Sequence, residues 1–103
     1  MPPFAFLTNH GLVLLCIAED SRVRIRDIAT HVGITERAAQ RIVADLIEGG
    51  YVSRRRDGRR NEYSIRTDLR LSLPNQRDTE IGSLLRVLLP AGASPERRDS
   101  VTG

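Results

Sequence analysis

The sequence predicts a mainly α domain of the α+β class: three helices, a small β-hairpin and a closing helix. Three observations predict it. Ile28, Ala29 and Val32 recur at helical spacing and are stopped by Gly33. Ala39, Ile42, Val43 and Leu46 repeat the pattern and are stopped by Gly49-Gly50. Two strand-like segments then flank Asp57-Gly58, a strong short-range hairpin signal.

The chain has 103 residues, which suits one domain better than two. It opens with an apolar arm, Met1–Leu7, whose two prolines disfavour a helix. Thr8 or Asn9 can cap the first helix. Its segment Gly11–Glu19 is apolar around almost the full circumference. A helix of that kind must be covered on more than one side. One side is expected on the core, the other on a second chain or on the last helix.

The polar run Glu19–Arg22 marks a turn, and Val23–Arg26 forms a short strand or leads straight into the second helix, Ile25–Val32. After Gly33, Thr35 is a good cap for a third helix ending at Glu48, and Glu36 suits the positive end of its dipole. Tyr51–Arg54 and Asn61–Arg66 read as the strands of the hairpin. Thr67–Pro74 reads as a connector. Asn75 or Asp78 then begins a last helix to about Leu89, with Ile81, Leu84, Leu85 and Leu88 as its stripe and Pro90 as its stop. The tail, Ala91–Gly103, is small and polar.

All 16 basic residues are arginine, and the formal net charge is +3. A basic balance favours an acidic partner, nucleic acid first. A GC-rich genome would also favour arginine, but arginine suits bidentate contacts to phosphate and guanine. The single cysteine, Cys16, excludes an internal disulfide, and with only His10 and His31 it makes no metal site at ordinary spacings. No nucleophile–base pair, phosphate-binding glycine loop or ligand cluster appears, so neither an enzyme nor a cofactor is expected. The run Gly11–Ala18 is too short to span a bilayer, and a cytoplasmic location is expected.

From Ile25 to Arg66 the sequence resembles winged helix-turn-helix transcriptional regulators, members like the MarR and ArsR groups above all. The residues that carry the resemblance are Arg26–Thr35, then Arg41–Val52, then the arginine-rich hairpin as the wing. It implies a DNA-binding domain over 1–66, a connector and dimerisation helix over 67–90 and a flexible tail over 91–103. It also implies a homodimer in a prokaryotic cytoplasm, bound to double-stranded DNA at the nucleoid. The expected dimer interface is Leu12, Leu15, Ile81, Leu84, Leu85 and Leu88.

The groove physics stands beside the resemblance. A major groove about 12 Å wide admits one helix, read from its N-terminal turns. The outer positions of the third helix there are Thr35, Glu36, Arg37, Ala38, Gln40 and Arg41. Arginine matches guanine O6/N7, and glutamine matches adenine N6/N7. The bland alternative is a solvated helix face. Between Tyr51 and Arg66 six arginines oppose Asp57 and Glu62. Arg54, Arg55, Arg56, Arg59 and Arg60 are the wing candidates for phosphate or minor-groove contact; a charged loop that only blunts a sheet edge is the alternative. The competing function is a winged-helix module that binds protein or RNA. No residue points to a small-molecule effector.

Overall fold

The computed structural model describes residues 4–74 and 78–90. Among these residues eight elements follow in order: α1 (Asn9–Glu19), α2 (Ile25–Val32), α3 (Glu36–Glu48), β1 (Val52–Asp57), β2 (Arg60–Ile65), β3 (Arg70–Ser72), β4 (Asp78–Glu80) and α4 (Ile81–Leu88). The architecture is the expected small α+β one.

Local chemistry sets the first three helices. The Thr8 hydroxyl accepts from the Gly11 amide at 3.2 Å and caps α1. Arg24 leads directly into α2, so the strand alternative for Val23–Arg26 is not taken. Gly33 ends α2 at φ +82°, in the left-handed region. Its amide and that of Ile34 both donate to the Ala29 carbonyl. Thr35 then caps α3 by accepting from the Ala38 amide at 3.0 Å.

One core holds everything together. Val13 and Ile17 of α1, Ile28 of α2, and Ala39, Val43 and Leu46 of α3 meet Val52 and Tyr63 of the first hairpin. Ile81, Leu85 and Leu89 belong to that same core, so α4 packs into the same domain as the first three helices. No residue of α1 from Gly11 to Ala18 is fully exposed within the single chain. The all-round apolar helix is thus largely covered by its own domain, with α4 among its neighbours.

Three expectations are corrected. The first wing strand is longer than the sequence suggests, and the second is shifted by one residue: Val52–Asp57 pairs antiparallel with Arg60–Ile65, from Val52↔Ile65 to Asp57↔Arg60. The two-residue turn is therefore Gly58-Arg59, with Gly58 at φ +65°, and Asp57 closes the ladder. The Thr67–Pro74 connector contains β3, which pairs with β4 in a second hairpin, Arg70↔Glu80 to Ser72↔Asp78. The last helix begins only at Ile81, because Asp78–Glu80 is strand. Its start is held from outside: the Ile81 amide donates to the Leu69 carbonyl at 2.7 Å, and the Gly82 amide to that of Thr67 at 2.9 Å. Pro2, Pro3, Asn75 and the tail lie outside the described residues.

Candidate nucleic-acid interface

α3 is the better built of the two candidate elements. Its stripe of Ala39, Ile42, Val43 and Leu46 is buried, which leaves Glu36, Arg37, Gln40 and Arg41 exposed. Arg37 and Arg41 sit one turn apart and so share a face. Neither side chain makes a hydrogen bond or ion pair with another described residue. Ala38 is half-buried, and its amide is spent on the cap. Thr35 is exposed, but its oxygen is committed to that amide, so only its hydroxyl proton is left for a phosphate.

The helix is fixed from both sides. α2 packs on it before the Gly33 turn, and α1 packs across it. His10 Nε2 on α1 donates to Asp45 on α3 at 2.8 Å. His10 is thus a bracing residue between two helices.

The wing is tied to the body at two points. The Tyr63 amide of β2 donates to the Ser21 carbonyl at 2.8 Å, and Arg22 Nη1 donates to Asp57 Oδ2 at 2.6 Å. The second tie joins the wing tip to the turn between α1 and α2. This hydrogen bond and the guanidinium charge hold the Asp57 carboxyl below its ordinary range. Nothing local in the sequence pairs residues 22 and 57.

The wing arginines divide into distinct sets. Arg55 faces Glu62 across the ladder and donates to it. Arg56 Nε donates to the Gly58 carbonyl at 3.0 Å, which orders its side chain and leaves the charge uncompensated. Arg54 and Arg59 are exposed, and their side chains bond to no described residue. Arg60 is half-buried, with its Nε shut away from solvent and without a partner among the described residues. Arg66, beyond the candidates, pairs with Asp68 at 3.1 Å. Of the five candidates, Arg54, Arg56, Arg59 and Arg60 therefore keep an uncompensated charge, and Arg55 does not.

The expected dimer residues also separate. Ile81 and Leu85 are buried inside the chain's own core, so they are not available to a partner. Leu12, Leu15 and Leu84 are half-buried and Leu88 is exposed. Val87, not among the expected interface residues, is the most exposed large hydrophobic side chain of the helix, at 80%.

Cys16 is half-buried in α1, and burial, helped by the Glu19 charge, raises its thiol above the ordinary range. Among the described residues no group of His, Cys, Asp and Glu is arranged to hold a metal ion. Among them, too, no helix is long and apolar enough to cross a membrane.

Residues 7–53 match the sequence model of a winged helix-turn-helix DNA-binding family. The matched stretch covers α1, α2, α3 and the first two residues of β1. It supports a winged helix-turn-helix domain and DNA as its partner. The wing lies beyond the match, so its form comes from the structure alone. No curated protein sequence matches the chain.

Proposed function

We propose that this chain is a sequence-specific regulator of transcription that binds double-stranded DNA and works at the chromosome in a prokaryotic cytoplasm. α3 enters the major groove, and the wing lies on the backbone or in the adjacent minor groove. One observation carries the reading. Arg37, Gln40 and Arg41 project from a helix whose other side is locked into the core, next to a hairpin with four uncompensated arginines. The helix supplies donors and an acceptor that fit base edges. The wing supplies charge that fits phosphates and carries no sequence information of its own.

A homodimer belongs to the same proposal. Its support is the outer face of α4, where Val87 and Leu88 are exposed beside half-buried Leu84. Two copies would offer two recognition helices to successive major grooves about 34 Å apart.

Selection of bound fragments from a random duplex pool tests the function. The expected result is an enriched motif with two inverted half-sites. Arg37→Ala should relax preference at one position of each half-site, worth about 1–3 kcal/mol of discrimination. Retention without any enriched motif would refute sequence-specific binding. An enriched single half-site would refute the two-headed arrangement.

A further inference from the structure

A pocket of about 410 Å³ lies between the wing and the start of α2. Arg22, Arg24, Arg59, Arg60 and Asn61 supply the donors in its wall, and Asp57 supplies its one carboxylate. That carboxylate is already paired with Arg22. Arg24, Arg59 and Arg60 therefore face the pocket with no acid to neutralise them. The Arg60 Nε is cut off from solvent and bonds to no described residue, which is a costly state for a charged donor. Ile25, the first residue of α2, is also in the wall, and α2 has no side-chain cap. The Asp27 amide is spent on the Arg24 carbonyl, so the Ile25 and Arg26 amides add donors at the positive end of a helix, offset in part by the Asp27 side chain in that turn.

We propose that this pocket binds a phosphate group, through Arg24, Arg60 and the first amides of α2. Guanidinium forks match phosphate oxygens two at a time, and an uncapped helix start prefers an anion. The phosphate arrives either as a group of the DNA backbone or as a free phosphate. The first source rests on the DNA-binding reading, whereas the pocket itself does not. Arg24 and Asn61 then act beside the arginines of the wing. A backbone phosphate seated here would fix the wing relative to α2 and so set the register of α3 in its groove.

The full chain is titrated with inorganic phosphate, and with chloride at matched ionic strength, while nuclear magnetic resonance follows the Ile25 and Arg26 amides and the Arg60 Nε–H. Phosphate should give saturable shifts that chloride does not, and both Arg24→Ala and Arg60→Met should abolish them. Arg24 is exposed, so that variant keeps the test valid should the half-buried Arg60 substitution impair folding. Shifts that are absent, equal with chloride or unchanged in Arg24→Ala overturn the proposal. A duplex titration across salt concentrations identifies the source. A log–log slope shallower by about 0.9 in Arg24→Ala assigns the backbone, and an unchanged slope with phosphate shifts present assigns a free phosphate. Should the wild-type chain bind no duplex, the DNA reading falls, and the phosphate titration still decides the pocket.

Discussion

Arg59→Ala and Glu62→Gln should move the salt dependence of duplex binding in opposite directions. Arg59 is exposed at the wing turn with no partner among the described residues. Glu62 accepts from Arg55 and keeps that guanidinium from a phosphate. Each phosphate contact contributes about 0.9 to the slope of log affinity against log salt. Removing Arg59 should therefore flatten the slope by about 0.9 per wing. Between about 50 and 200 mM salt, a fourfold range, that slope difference corresponds to about 3.5-fold in affinity. Glu62→Gln keeps the shape of the side chain and releases Arg55, so the slope should steepen by up to about the same amount. A complex with two wings doubles both effects. Fluorescence anisotropy of one duplex at five or six salt concentrations measures them. A slope unchanged by Arg59→Ala would refute the phosphate track. A slope flattened by Glu62→Gln would refute the assignment of Arg55 as the arginine held in reserve.

Two further outcomes follow from the frame that positions these side chains. Gly33→Ala should cost about 1–2 kcal/mol, the price of a left-handed L-residue, because a Cβ there meets nothing within 4 Å; chemical denaturation measures it, and a cost near zero would mean the turn relaxes. The Asp57 carboxyl is lowered in the folded chain, so its tie to Arg22 is in place above the unfolded value of about 3.9 and is lost as pH falls through the lower folded value. Wing position should then not respond to pH near neutrality, and a carboxyl carbon titration should place the Asp57 midpoint higher in Arg22→Gln than in the wild type.

The parts of this fold that local chemistry decides are the parts legible in the sequence. α2 and α3 lie where their stripes and stops put them, because Gly33, Thr35 and Gly49 act on residues within one turn. The β3–β4 hairpin was hidden for the opposite reason. Its strands have three residues each, and it adjoins a helix start satisfied by Leu69 and Thr67, so no local pattern announces it. The sequence shows only the start of the first wing strand, because a run of arginines carries no alternation of apolar and polar residues. The same division runs through the site. Arg37, Gln40 and Arg41 follow from the buried stripe opposite them. That Arg55 is compensated, that Asp57 is spent on Arg22, and that Arg24 faces the wing are facts of tertiary proximity, and spacing along the chain does not contain them.

The two ends of the α4 stripe now make different predictions, and the difference tests the dimer. Leu85 is 2% exposed in the single chain, so Leu85→Ala should cost about 2–5 kcal/mol of folding stability whether or not a second copy binds. Leu88 is 41% exposed and Val87 80%, so replacing both with serine should change the stability of a lone chain by no more than about 0.5 kcal/mol each. A dimer alters that expectation by mass action. Association stabilises the folded chain more at higher concentration, so the wild-type melting temperature should rise across a hundredfold concentration range. In Val87→Ser/Leu88→Ser it should stay flat and lie within about 8 °C of the wild-type value at the dilute end. Sedimentation of the same samples should show the wild type shifting from one copy to two and the variant remaining single. A wild type that melts at one temperature throughout and sediments as one copy would remove α4 as a pairing surface. The single recognition helix would then have to reach its specificity on one half-site, with the wing arginines and the pocket beside α2 supplying the remaining affinity.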